Sequence, residues 1–279
     1  MNELNYLQAL ILGVVQGLTE FLPISSSGHL AITQRLMHLD ADSQAMLLFD
    51  VASHLGTLLA VIYVFAGTFR RYVQRLFAES RSSFVGRRIA WPIAGLGVCA
   101  SVPTALIGLV FKDPLEAAFD KPIWIGVGLL LTGTLLFVTG KIPRPRRGWR
   151  RFGVGRALLV GIAQGAAIMP GVSRSGSTIC VAMLAGFRRR WAAQFSFFIA
   201  APAICGAALI KANDSFGLPP AELAAIPKGP ILLGAVAALL SGYVALRLLL
   251  AAVHRAKLHH FCYYCWLLGV TVIVLLNRV

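Results

Sequence analysis

"QGLTEFLPISSSGHL", Gln16–Leu30, is the stretch whose reading decides the fold. It follows the apolar run "YLQALILGVV" and leads into more apolar sequence. A helix crossing a bilayer excludes a carboxylate, an imidazole and a serine cluster unless they face protein or a water-lined cavity. The stretch therefore reads as a break inside an apolar region covering roughly residues 4–37.

The chain around it is a membrane protein by composition. Of its 279 residues 57% are hydrophobic and only 13% charged, against roughly 25% charged in soluble domains. Six runs approach the ~20 apolar residues a spanning helix needs: roughly 45–66, 89–111, 123–140, 194–211, 230–253 and 261–277. No long polar linker divides them, so residues 1–279 read as a single membrane domain. The start, "MNELNY", lacks a basic segment and a cleavage site, so no cleavable signal peptide is expected.

A second broken region lies at about 154–187. From Ala9 the first reads "ALILGVVQGLTEFLPISSSGHL", and from Ala157 the second reads "ALLVGIAQGAAIMPGVSRSGST". Gly13, Gln16, Gly17, Ser25, Ser27 and Gly28 match Gly161, Gln164, Gly165, Ser173, Ser175 and Gly176 at a constant offset. Three apolar runs follow each region, which makes an internal duplication: repeat one at about 1–145 and repeat two at about 150–279.

Loop charge sets the topology. Most of the 26 basic residues fall in four loops, among them Arg70, Arg71, Arg75, Arg146, Arg147, Arg188, Arg189, Arg190, Arg255 and Lys257. These read as cytoplasmic, whereas loops with Asp40, Asp42, Asp113, Glu116, Asp120, Asp214 and Glu222 read as outside. Both ends of the second broken region are then cytoplasmic, so it enters and leaves on one side. The first does the same from outside, and three intervening spans invert one half against the other. The expected fold is an all-α polytopic membrane protein: an inverted repeat of six transmembrane helices plus two re-entrant helical hairpins. A pair of ordinary kinked spans is the alternative. The net charge of +15 follows the positive-inside pattern, so no nucleic-acid partner is expected.

Four side chains carry charge or strong polarity at membrane depth: Glu20, His29, Asp50 and Arg174. Gln16 and Glu20 share a helix face and suit a hard cation such as Mg²⁺ or Ca²⁺. "PISSSGH" and "PGVSRSGST" each read as a fresh helix start, where exposed N–H groups bind anions. Ser25, Ser27, Gly28, Ser173, Ser175 and Gly176 would cap these starts, bind phosphate, or do both. Arg174 adds a fork that matches phosphate. Ser26, close to His29, has the makings of a nucleophile. The residues alone indicate a phosphate site near the midplane; whether the anion is moved or cleaved stays open. Cys262 and Cys265 form one C-x-x-C, read as apolar packing with metal binding as the alternative.

"QGLTEFLPISSSGHL" and "PGVSRSGSTI" resemble the two signature motifs of the undecaprenyl-diphosphatase, or bacitracin-resistance protein, family. "FDVASHLGTLLAV" and "QFSFFIAAPAI" extend the resemblance over the whole chain. It implies an integral membrane phosphatase that removes one phosphate from undecaprenyl diphosphate. The product, undecaprenyl phosphate, is reused in peptidoglycan synthesis, and the activity confers bacitracin resistance. It further implies a divalent cation, Mg²⁺ or Ca²⁺, on Glu20 and Gln16, and a catalytic set of Glu20, Ser26, His29 and Arg174. Gln16 departs from the family's two-glutamate form and leaves one fewer negative charge for the metal. His29 would serve Ser26 as base or the leaving group as acid, and direct attack by water is the rival mechanism. The partners implied are a polyprenyl diphosphate and membrane lipid, with a homodimer left open. The location implied is the bacterial plasma membrane, with the site open to the outer side. Phe21, Leu22, Phe195, Phe197 and Phe198 are candidates for a groove holding the lipid tail. A flippase for the lipid carrier, using the same midplane phosphate site, is the competing function.

Overall fold

The computed structural model describes residues 4–81, 89–143, 148, 152–215 and 226–276, with side chains up to residue 209 in the third long segment. Arg87, Arg88, Arg144, Arg146, Arg147, Arg150, Arg151 and Glu222, which share in the loop-charge argument, lie outside the described residues, as does the side chain of Asp214.

The described chain is helical, and six of its helices are long and apolar enough to cross a bilayer. The protein is a multi-pass membrane protein. In chain order the helices are α1 (Tyr6–Phe21), α2 (Ser26–Leu36), α3 (Gln44–Ser80), α4 (Ala90–Val110), α5 (Lys112–Phe119) and α6 (Pro122–Lys141). There follow α7 (Val154–Ala166), α8 (Arg174–Leu184), α9 (Arg189–Ser215), α10 (Lys228–His254) and α11 (Phe261–Leu275), the last preceded by a 3₁₀ turn at Leu258–His260. Helices α3, α4, α6, α9, α10 and α11 are the spans. Three boundaries differ from the sequence reading. Helix α3 runs on to Ser80, because "TFRRYVQRLFAES" has no helix breaker and can continue into water. Helix α9 starts at the arginines before its apolar run. Residues 112–119, expected as loop, form the short amphipathic α5.

The broken regions become two pairs of short helices. At 1.5 Å per residue, the 16-residue α1 reaches about 24 Å and the 13-residue α7 about 20 Å, short of the roughly 30 Å hydrocarbon layer. Each pair returns to the end from which it started. Leu4 before α1 and Leu39 after α2 belong to one apolar cluster with Leu12, Leu30 and Phe49. The rings of Phe152, before α7, and Phe187, after α8, stack at 4.1 Å. Both are therefore hairpins.

Glycine lets each outer hairpin helix approach a span closely. Gly13 and Gly17 lay α1 on Gly234, Ala238 and Gly242 of α10, while Gly161 and Gly165 lay α7 on Ala100, Pro103 and Ile107 of α4. A Cβ at Gly17 would come within 2.7 Å of the Gly242 nitrogen, and one at Gly161 within 2.7 Å of Pro103 Cγ. Small residues four apart are the usual means of packing helices in lipid, where the hydrophobic effect contributes little. The two contacts are equivalent, each laying the first hairpin helix of one half on a span of the other.

The ends of the bundle separate as the loop charges require. Thr139 near the end of α6, Arg189 at the start of α9, Val253 at the end of α10, and Ala256 and Leu258 beyond it line one small cavity. At the other end, Arg35 in the last turn of α2 donates to the Asp120 carbonyl at 2.8 Å. The phenylalanines proposed to line a lipid groove are mostly core. Phe21, Phe195 and Phe197 are buried, with Phe21 edge-on to Phe197 at 5.9 Å, because helix packing covers these faces before lipid can.

Candidate active site

The two hairpin turns meet inside the bundle. Ser175 Oγ donates to the Phe21 carbonyl at 3.0 Å, and a Cβ at Gly28 would touch Gly171 Cα at 3.2 Å. Thr132 sits halfway along α6 and fixes the depth of the second turn: it donates to the Gly171 carbonyl at 3.0 Å and accepts from the Ser173 N–H at 2.9 Å.

Each turn then starts an 11-residue helix through a serine cap. Ser25 Oγ accepts from the Gly28 N–H at 3.3 Å, and Ser173 Oγ from the Gly176 N–H at 3.1 Å. Ser27 and Ser175 lie beside these caps, at 3.4 and 3.3 Å. The turns differ in where they spend their left-handed residue. The second uses Gly171, at φ 83, whereas the first uses Ser25, at φ 71. A non-glycine residue in that region is uncommon and is held there by its surroundings.

Ser26 and Arg174 are the first residues of α2 and α8, equivalent places in the two copies. Both converge on one carboxylate. Ser26 Oγ donates to Glu20 Oε2 at 2.5 Å, and Arg174 Nη2 pairs with Glu20 Oε1. Gln16 Nε2 donates to Oε2 at 3.1 Å, and His54 Nε2 lies 3.9 Å from the same oxygen. Glu20 is buried. A buried charge persists only when paired and hydrogen-bonded, and these neighbours supply both.

His29 is placed differently from the expectation. Its Nδ1 meets the Ser25 carbonyl at 2.7 Å and its Nε2 meets the Tyr264 hydroxyl at 2.8 Å. Among the described residues no hydrogen bond joins it to Ser26, whose partner is Glu20. Asp50 Oδ1 accepts from Gln34 at 3.4 Å, and its carbonyl meets His54 Nδ1 at 2.7 Å.

Three residues of the site were not singled out from the sequence. His54 was readable, as an imidazole in a spanning helix one turn beyond Asp50. Thr132 and Tyr264 were not, since a threonine and a tyrosine are ordinary in spanning helices and only the tertiary fold brings them here.

The Mg²⁺ or Ca²⁺ expectation can be tested against the donor atoms. Gln16 Oε1 is buried and has no hydrogen-bond partner among the described residues. With the Glu20 carboxylate it offers two oxygens of the right hardness. Among the described residues no three of His, Cys, Asp and Glu gather as a metal cage, Cys262 and Cys265 included. The donors fit a hard cation that takes the rest of its shell from water and substrate phosphate.

The family model for bacitracin resistance protein BacA matches residues 9–271. The chain belongs to the BacA family. A relative from Carboxydothermus hydrogenoformans named undecaprenyl-diphosphatase is 42% identical over 272 residues, 98% of each chain. Proteins of the same name from Syntrophotalea carbinolica and Methanobrevibacter smithii are 42% and 34% identical. The first alignment covers 95% of this chain and 97% of the relative, and the second 96% and 97%. The BacA match takes in both hairpins, so every residue around Glu20 lies within the shared region.

Proposed function

We propose that this protein hydrolyses undecaprenyl diphosphate to undecaprenyl phosphate and inorganic phosphate, in the plasma membrane of a bacterial cell. The reading is supported by relatives of that name along nearly the whole chain. The observation that carries it to particular residues is the convergence of Ser26 and Arg174 on the two oxygens of Glu20.

The mechanism follows from that arrangement. Ser26 Oγ attacks the terminal phosphorus, and its proton passes to Glu20 Oε2, with which it already shares a short hydrogen bond. The bond from the terminal phosphorus to the bridging oxygen breaks, and undecaprenyl phosphate leaves. Water then attacks the phosphoserine, inorganic phosphate departs carrying both protons of the water, and the proton on Glu20 returns to Ser26 Oγ. Arg174 and the N–H groups at the starts of α2 and α8 stabilise charge on the transferring phosphoryl oxygens. Arg174 uses one nitrogen on Glu20, which leaves the rest of its five-donor fork for phosphate. Glu20 and Gln16 would hold the divalent cation, which supplies charge neutralisation on the diphosphate when bound.

Purified protein in detergent tests the function, because no membrane sides exist there and transport cannot register. The expected result is one inorganic phosphate released per undecaprenyl diphosphate consumed, lost on chelation and restored by Mg²⁺ or Ca²⁺. Absence of phosphate release from a folded, metal-supplied protein would contradict the reading.

A further inference from the structure

We propose that Tyr264 is a positioning residue for His29, holding the plane of the ring by stacking and engaging the lone pair of Nε2 through its hydroxyl. The kinetic part of this proposal rests on the diphosphatase reading; the structural part does not.

The Ser25 carbonyl sets the tautomer of His29. A carbonyl oxygen only accepts, so the 2.7 Å contact requires a proton on His29 Nδ1. In the neutral ring Nε2 then holds the lone pair. Tyr264 Oη lies 2.8 Å from Nε2, so the phenol donates to it. The two rings also stack, with centroids 5.7 Å apart and planes 11° from parallel. One contact fixes the tautomer and the other fixes the plane. Neither a ring flip nor a change of tautomer survives both.

Tyr264 is itself held by packing. Helix α11 lies against α6 through Gly126 and Gly269, and Trp266 fills the space above Gly133. The next residue, Cys265, donates from Sγ to the Pro23 carbonyl at 3.7 Å, in the turn of the first hairpin. The phenol is thus referenced to the same turn that carries His29. A residue 235 positions away in the second half orients an imidazole of the first. His29 so held offers a lone pair, and not an N–H, at Nε2. With that lone pair engaged by the phenol, a proton reaches Nε2 only by way of the Tyr264 hydroxyl.

Tyr264→Phe keeps the stack and removes the hydroxyl. Full-length protein labelled with ¹⁵N-histidine, with the His29 signal assigned through His29→Gln, reports the tautomer near pH ~8, where a free imidazole is neutral. Wild type and Tyr264→Phe should both show protonated Nδ1, held by the Ser25 carbonyl, and in Tyr264→Phe the Nε2 signal should move because its lone pair loses the phenol's hydrogen bond. With undecaprenyl diphosphate, kcat of Tyr264→Phe should fall about tenfold while KM stays within about twofold. An unchanged His29 spectrum together with a kcat within about twofold of wild type overturns the proposal. A shifted spectrum in a protein that releases no phosphate even as wild type supports the pairing and refutes the diphosphatase reading instead.

Discussion

At the scale of the residue, the site is a buried carboxylate whose neighbours define its chemistry. Glu20 binds Ser26, Gln16 and Arg174 and has His54 nearby, so its charge is both stabilised and shared. Arg174→Ala should lower turnover about 100- to 1,000-fold. It should also destabilise the protein by about 3 kcal/mol, because Glu20 is left buried without its cation. The double variant Arg174→Ala with Glu20→Gln should recover most of that stability and none of the activity. A melting series in detergent, read beside phosphate release, checks both; a double variant less stable than the single would contradict the pairing. Much of this was legible in the sequence, since Glu20, Ser26 and Arg174 stand out as polar residues in apolar surroundings. The partnership of Ser26 with Glu20, and not with His29, was not. Serine and histidine three apart on a helix suggest a pair, but Glu20 takes the Ser26 hydroxyl while the Ser25 carbonyl and Tyr264 take the two ring nitrogens.

At the scale of the element, the hairpins depend on glycine in two ways. Gly13, Gly17, Gly161 and Gly165 bring α1 and α7 against spans, while Gly28 and Gly171 let the tips touch. Gly17→Val should overpack the α1–α10 contact and cost about 1–3 kcal/mol. Gly67→Val, on an exposed face of α3 where a new side chain meets nothing within 4 Å, should leave the melting temperature unchanged. Equal melting temperatures for the two would remove the packing argument. The repeated glycines were visible in the sequence as part of the duplication. Their partners on α10 and α4 were not, because the spacing of small residues marks a close contact without naming what is contacted. The extension of α3 was missed for a related reason: hydropathy ends where the membrane ends, but a helix does not.

At the scale of the whole molecule, the two halves contribute unlike chemistry to one place. The first brings Glu20, Ser26 and His29, and the second brings Arg174 and Tyr264. The same backbone device, a serine-capped helix starting at mid-depth, serves both, and the residue after the cap differs: serine in one, arginine in the other. Duplication and loop charge were enough to predict six spans and two hairpins, because the bilayer admits few other arrangements of such a pattern. The anchoring of the second hairpin tip on Thr132 needed the fold itself. The central claim is that Ser26 takes the phosphoryl group while Glu20 takes its proton. The direct measurement is the mass of the peptide containing Ser26 after wild-type protein turning over undecaprenyl diphosphate is quenched in acid. The account predicts a peptide heavier by one phosphoryl group, absent from Ser26→Ala, which should also have lost turnover. An unmodified peptide, together with a Ser26→Ala protein that keeps near-normal turnover, would contradict it.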